Sequence, residues 1–274
     1  MATGTTEHQT VPAAFIGHGN PMNAIETNRY TAAWRALGAA VPRPRAVLCV
    51  SAHWYINATA VTVMPRPRTI HDFYGFPPEL FAVEYPAPGL PALAEEIKDA
   101  VSPTWVGDDN DSWGLDHGTW SVLTHLFPDA SVPVVQLSVN ASKDLDYHLE
   151  LGQKLAPLRQ RGVMVVGSGN IVHNLRAGDW ASPDAGYGWA ERFDEDVKAQ
   201  VLNAPADVAR LASHPEFHKA VPTPDHFLPL LPFAGLASAS SEPIGLLVQG
   251  YTFGSISMTA YVLGADGAAP EQAA

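Results

Sequence analysis

Short uninterrupted runs of Val, Ile and Leu recur along the sequence, and stretches with helical spacing separate them. Apolar runs of this length are typical of strands that are buried on both faces of a sheet. Strands that alternate with helices indicate an α/β fold in which helices cover both faces of a central sheet. The predicted strands are 12–16, 46–50, 61–64, 132–139, 163–166, 244–248 and 255–263.

The segments between these runs place apolar residues three or four positions apart, as one face of a helix requires. Neither a linker nor an internal repeat divides the chain, so we expect one domain over 12–263 with flexible tails at 1–11 and 264–274. The predicted helices are 31–37, 91–101, 120–126, 145–158 and 189–202.

Acidic residues outnumber basic ones, 28 against 16, which gives a net charge of −12. Such a chain is repelled by phosphate backbones and by anionic lipid surfaces, so nucleic acid and membranes are not expected partners. A single cysteine, Cys49, excludes an internal disulfide and a cysteine-based zinc site. No signal peptide is recognisable, and we expect a cytoplasmic protein whose oligomeric state the sequence leaves open.

Three of the 11 histidines follow predicted buried strands. His18 and His53 come directly after the first and second strands, and His173 comes a few residues after the strand at 163–166. In an open α/β sheet, the loops at the carboxyl ends of the strands form the ligand-binding crevice. Neutral imidazoles can converge there on one metal ion. The pattern alone leaves two readings open, a shared metal site and separate loop histidines held by hydrogen bonds.

Six motifs occur in order along the chain, and together they make a family resemblance specific. They resemble the DOPA-dioxygenase-like branch of the class III (LigB-type) extradiol aromatic ring-cleaving dioxygenases from about residue 12 to residue 263. The motifs are FIGHGNPM (15–22), SAHW (51–54), TIHDFYGFP (69–77), WGLDHGTW (113–120), SGNIVHNL (168–175) and PTPDH (222–226).

The resemblance implies a single α/β domain with a mixed, largely parallel sheet and one non-haem divalent metal at its edge. It implies that His18, His53 and His226 are metal ligands, with Asp225 as a carboxylate alternative to His226. His173 matches a histidine that serves either as a further metal-site residue or as the acid/base, and His117 matches a histidine near the bound substrate and oxygen. The implied reaction opens a catechol-type, DOPA-like ring with O₂ to give a semialdehyde.

The nature of the metal follows from its chemistry. Zinc has no redox chemistry, so ring opening by O₂ requires Fe(II) or a similar metal, whereas an all-imidazole site favours Zn²⁺ in the purified protein. An octahedral metal has about six positions, of which a catecholate takes two and O₂ takes one. Three remain for protein ligands. We therefore expect His173 to act as the base rather than as a permanent fourth ligand.

Two other functions remain as alternatives at this point, a zinc-dependent hydrolase that uses metal-bound water and a metal-binding protein without catalysis. His71 is interpreted either as a substrate contact or as a loop histidine paired with Asp72. Arg66 and Arg68 are interpreted as a solvated pair, and the His214–His218 segment as a surface helix start. Five aromatic residues are candidates either for a substrate pocket or for the core: Trp54, Phe73, Tyr74, Phe76 and Trp120.

Overall fold

An eight-stranded sheet lies at the centre of the computed structural model, which describes residues 10–182 and 184–265. The strands are β1 (Ala13–Gly17), β2 (Ala46–Ile56), β3 (Ala60–Thr62), β4 (Gly107–Asp109), β5 (Val134–Asn140), β6 (Val163–Gly169), β7 (Ile244–Val248) and β10 (Ala260–Leu263). Two short strands, β8 (Tyr251–Thr252) and β9 (Ile256–Ser257), form a separate antiparallel pair.

The strand order is β4-β3-β5-β2-β6-β1-β10-β7. The central strands β5, β2, β6 and β1 run parallel, whereas β10 pairs antiparallel with β1 and with β7. These pairings confirm the predicted mixed, largely parallel sheet. The segment near Asn57 does not form a hairpin, because β3 pairs with β5 and β4 and not with β2.

Helices pack on both faces of the sheet. They are α1 (Arg29–Ala40), α2 (Pro78–Phe81), α3 (Pro91–Val101), α4 (His117–Leu126), α5 (Leu145–Leu155), α6 (Pro157–Gln160), α7 (Gly188–Asn203), α8 (Phe217–Ala220) and α9 (Leu230–Ser238). Neighbouring residues of one strand enter opposite cores. Phe15 lies in the core that contains α5, α7 and α9, and Ile16 lies in the core that contains α1 and α4. Burial on both faces explains why the strands read as continuous apolar runs.

Most predicted elements differ from the observed bounds by a few residues, and three of the differences have a clear local reason. The predicted helix at 145–158 divides after Leu155, and a second short helix begins at Pro157, which has no N–H to continue the first. The predicted strand at 255–263 divides into β9 and β10 at Met258 and Thr259, which pack against Gly17 of β1. The strand predicted at 46–50 continues as far as Ile56, so His53 lies inside β2 and not after it.

The predicted tails, 1–11 and 264–274, lie mostly outside the described residues. Val11 is an exception, because it is buried and its N–H donates to the carbonyl of Arg159 at 3.2 Å. None of the helices in the described ranges combines the length and the apolar character that crossing a bilayer requires.

Close contact between α5 and α9 gives a prediction about stability. A Cβ at Gly152 would lie 2.1 Å from the carbonyl oxygen of Pro232, so Gly152→Ala forces these two helices apart. Overpacking of this kind costs about 1–3 kcal/mol, which exceeds the helix propensity that alanine gains. We expect urea denaturation to show a lower free energy of unfolding. The matched variant Gly188→Ala, whose nearest neighbour would be the Arg192 guanidinium at 3.5 Å, should stay within about 0.5 kcal/mol of the parent. Equal stability of the two variants would contradict this packing.

Candidate metal centre

Five histidines meet where β1, β2 and β6 reach the carboxyl-end edge of the sheet. They are the residues that the sequence motifs singled out: His18, His53, His117, His173 and His226. The ring centroids lie 5.1 Å apart for His18 and His53, 3.8 Å for His53 and His117, 5.0 Å for His53 and His226, and 3.5 Å for His173 and His226. Residues distant in the chain thus form one cluster.

His18 follows β1 directly, and its ring is held by Ser168 at the end of the neighbouring parallel strand. The Ser168 hydroxyl donates to the carbonyl of Gly118 at 2.6 Å. Because that hydroxyl has only one hydrogen, its oxygen must accept from His18 Nδ1 at 3.0 Å. His18 therefore carries its proton on Nδ1 and has a free lone pair on Nε2.

His53 is presented by an irregularity in β2. The ladder with β5 passes from the Val50–Leu137 pair to the Tyr55–Val139 pair, five residues along β2 but two along β5. The extra residues form a bulge, a feature common beside active sites because it changes where a side chain points. Gly118 also makes room for the ring, since a Cβ there would lie 2.8 Å from His53 Cδ2.

The His18 and His53 rings face each other through Nε2 atoms 3.2 Å apart. His53 Nδ1 lies 3.2 Å from Oδ2 of the Asp72 carboxylate, which can only accept, so the proton of His53 also lies on Nδ1. When both rings are uncharged, two lone pairs therefore point at one another, an arrangement that a shared proton or metal ion relieves. Imidazole nitrogens about 2.0–2.1 Å from one metal lie about 3.0–3.4 Å apart. The pair thus fits a metal ion.

His117 begins α4, and Asp116 caps that helix by accepting from the N–H of Thr119 at 3.0 Å. His18, His53 and His117 each offer a ring nitrogen within 4.8 Å of the other two, the arrangement of a three-histidine metal site. The predicted position of His117, beside the substrate, did not require this proximity. Its ring is therefore closer to His18 and His53 than predicted.

His226 lies in the loop before α9, a position that sequence spacing left uncertain. The backbone of this loop is fixed against the end of β6, because the N–H of Asn170 donates to the His226 carbonyl at 2.8 Å. Gly169 permits this approach, since a Cβ there would lie 2.2 Å from the same oxygen. Asp225 contacts His226 Nδ1, which leaves Nε2 free. Asp225, which the sequence offered as an alternative metal ligand to His226, thus orients the His226 ring.

His173 lies four residues beyond β6, with its ring stacked on His226 at an interplanar angle of 8°. Its backbone N–H donates to the carbonyl of Ala220 at 2.9 Å. Burial, opposed by the charge of Asp225, lowers the pKa of His173 to about 4. At neutral pH the resting ring is therefore an unprotonated base.

Desolvation, reinforced by neighbouring histidines, lowers the pKa of His18 and of His226 well below the ordinary value. Burial and the proximity of His53 also lower the pKa of His117. Burial opposes protonation of His53 too, but the hydrogen bond with Asp72 and the nearby carboxylates raise its pKa. Unprotonated imidazole is the form that binds metal, so most of the cluster is ready to do so.

Aromatic side chains near the cluster differ from the predicted pocket. Of the five candidates, only Phe73 packs against a clustered histidine, with its ring 5.5 Å from that of His117. Trp54 and Trp120 are buried in the structure, and Trp54 stacks on Trp113. Tyr74 is 92% exposed. The structure therefore agrees with the core reading for Trp54 and Trp120, and it places Phe73 beside the cluster.

Other candidates have structural partners. His71 Nε2 lies 2.9 Å from the carbonyl of Val83, which agrees with the loop-histidine reading, but the partner differs because Asp72 faces His53 and His117. Arg68 forms an exposed ion pair with Asp111 at 3.2 Å, which agrees with the solvated reading. His214 Nε2 contacts Asp196 at 2.9 Å near the start of α8. These contacts give the three side chains no part in the cluster.

The sequence reasoning missed the groups that orient the rings, above all Ser168 and Asp72. Both lie inside motifs that carried the family resemblance. A general rule would have found them, because a metal-binding histidine nearly always donates its second ring N–H to an oxygen. Ser168 and Asp72 supply oxygens of this kind.

Comparisons with known proteins agree with this geometry. The family described as the catalytic LigB subunit of aromatic ring-opening dioxygenase matches residues 6–264. The 4,5-DOPA dioxygenase extradiol of Escherichia coli strain K12 is 46% identical over 93% of this chain and 95% of its own. The protein of that name from Beta vulgaris is 36% identical over 83% of this chain and 87% of its own.

A solved structure shows the same fold. The crystal structure of an uncharacterized protein from Escherichia coli K12 superposes with a TM-score of 0.82 at 43% identity, covering 93% of this chain and 100% of that one. The extent of these matches confirms the family that the six motifs predicted: the chain belongs to the LigB family of aromatic ring-opening dioxygenases and is of the extradiol type.

Proposed function

We propose that this enzyme opens a catechol ring of the DOPA class with O₂. The carbon–carbon bond beside the two hydroxyl-bearing carbons breaks, and both oxygen atoms enter a semialdehyde product. The observation that carries the proposal is the pair of facing Nε2 lone pairs on His18 and His53, 3.2 Å apart at the sheet edge. The relatives from Escherichia coli and Beta vulgaris are named 4,5-DOPA dioxygenases, which supports the substrate class.

We propose His18, His53 and His226 as the protein ligands. Each has its Nδ1 against a polar partner, Ser168, Asp72 and Asp225 respectively, and so offers Nε2. Fe(II) held by these three rings would supply the redox chemistry for a reaction with O₂, which Zn²⁺ would not supply although an all-imidazole site favours it.

We propose His173 as the base that accepts a proton from a catechol hydroxyl and later returns it. Its ring is unprotonated at rest and stacks on His226, so it lies against the proposed metal site. A catechol hydroxyl bound beside that site would meet an imidazole already held by the stack. The charge of Asp225 favours the protonated ring after transfer.

We propose that His117 contacts the substrate, although its ring nitrogen also lies within reach of the position between His18 and His53. Phe73 packs edge-on against His117 and offers an apolar wall for a planar ring. His117 and His226 are thus the two candidates for the third ligand position, and metal content separates them.

The first prediction from this proposed function concerns the reaction. After anaerobic loading with Fe(II), we expect DOPA or another catechol to consume one O₂ per ring opened and to give a yellow semialdehyde. Oxygen uptake and absorbance measure this directly, and the Zn²⁺-loaded protein serves as the control that should not turn over. Activity that persists with Zn²⁺ and without O₂ would support the hydrolase alternative. No oxygen uptake across a catechol panel would overturn the dioxygenase assignment for this chain.

The second prediction concerns the ligands. His18→Ala, His53→Ala and His226→Ala each remove one proposed donor, so we expect their Zn²⁺ affinity to fall by at least about 100-fold in competition with a chelator. His117→Ala should keep affinity within about 10-fold of the parent while losing turnover, because it removes neither a proposed ligand nor a group that orients one. Metal loss in His117→Ala together with metal retention in His226→Ala would assign His117 as the third ligand.

The third prediction concerns the base. His173→Gln removes a proton acceptor, and loss of general acid–base catalysis costs about 10²–10⁴-fold, so we expect kcat to fall by that factor. Metal content should remain that of the parent. His218→Gln, at an exposed position of α8, is the matched control and should leave kcat unchanged. A kcat for His173→Gln within threefold of the parent would exclude this role.

A further inference from the structure

One carboxylate, Asp72, lies between two of the clustered imidazoles. Its Oδ2 is 3.2 Å from His53 Nδ1, and its Oδ1 is 3.0 Å from His117 Nδ1. The same Oδ1 accepts the backbone N–H of His117 at 2.9 Å. The side chain is 14% exposed, so water has little access to compete for these contacts.

A carboxylate has no hydrogen to donate when it is ionised. Asp72 lies 3.2 Å from His53 Nδ1 and 3.0 Å from His117 Nδ1 and also accepts the backbone N–H of His117, which are the contacts of an ionised carboxylate. The nitrogen that faces each oxygen must therefore carry the ring hydrogen, because a lone pair at that distance would be repelled. His117 Nδ1 lies off the ideal hydrogen-bond direction, but the same requirement applies to it.

In their uncharged forms, both rings consequently carry hydrogen on Nδ1 and have a free lone pair on Nε2. His53 directs that lone pair at His18 Nε2, and the rings of His53 and His117 lie 3.8 Å apart by centroid. We infer that Asp72 is the positioning residue that sets the tautomers of His53 and His117 together, which makes the first a metal ligand and the second a hydrogen-bond acceptor. The part of this inference that makes His53 a metal ligand rests on the proposed function, whereas the tautomers are a property of the metal-free protein.

Replacement by asparagine distinguishes this role from simple packing. Asparagine has nearly the same shape as aspartate, but it has one acceptor and one donor where aspartate has two acceptors. The backbone N–H of His117 requires an acceptor and so keeps the amide oxygen on its own side. The amide NH₂ then faces His53 Nδ1, which must become an acceptor, and the ring hydrogen of His53 moves to Nε2.

A hydrogen on His53 Nε2 has two consequences. It occupies the position through which His53 would bind a metal. It also points at His18 Nε2, only 3.2 Å away, and forms a hydrogen bond with that lone pair. The metal-free protein thereby gains a contact just where metal binding is blocked, so loss of metal affinity should occur without loss of folding.

The experiment is imidazole ¹H–¹⁵N NMR on metal-free protein, together with Zn²⁺ titration against a chelator. In the parent we expect His53 and His117 to carry hydrogen on Nδ1. In Asp72→Asn we expect His53 to carry hydrogen on Nε2, the Zn²⁺ dissociation constant to rise by about 10–100-fold, and the melting temperature of the metal-free protein to be retained. Asp111→Asn, which removes an exposed carboxylate of the same charge, should change neither the tautomers nor the affinity.

Two results would overturn the inference: hydrogen on Nε2 of His53 in the parent, or an unchanged His53 tautomer in Asp72→Asn. A tautomer switch with an unchanged Zn²⁺ dissociation constant would overturn the part that links the tautomer to metal binding. A parent that shows the expected tautomers but binds no metal would count against the proposed function and not against the role of Asp72. The two proposals therefore fail in distinguishable ways.

Discussion

The orientation of two buried imidazole rings, those of His18 and His53, depends on the residues that contact them. His18 and His53 hold their Nε2 atoms 3.2 Å apart because Ser168 and Asp72 occupy the opposite side of each ring. In water each ring would turn freely, whereas burial removes that freedom and keeps His18 uncharged. The parallel strands, the bulge in β2 and the tight turns at the sheet edge all serve to hold this geometry.

The histidines of the cluster that could accept or donate a proton lie on different elements of the fold. Helix α4 carries His117 at its first turn, and the loop before α9 carries His226 beside Asp225. His173 approaches from the loop after β6 and stacks on His226. A substrate bound among these residues would meet donors and acceptors from one helix and two loops, so its orientation would depend on tertiary packing and not on one local motif.

Local patterns predicted much of the fold, because burial on two faces leaves a direct trace in strands such as β6 and helices such as α3. The family motifs brought the five histidines into one hypothesis, and the structure places them together. What could not be predicted depends on contacts between distant residues. The bulge that carries His53 exists because β2 continues beyond its last pair with β6, which nothing in the run 46–50 indicates. The interpretation of Asp72 as the partner of His71 failed for the same reason.

Gly118 touches both halves of the facing pair. Its carbonyl accepts the hydroxyl that orients His18, and its missing side chain admits the ring of His53. A side chain at position 118 would therefore crowd the ring of His53 while the carbonyl that orients His18 stayed available, so the spacing of the two rings depends on one position that carries no functional group of its own.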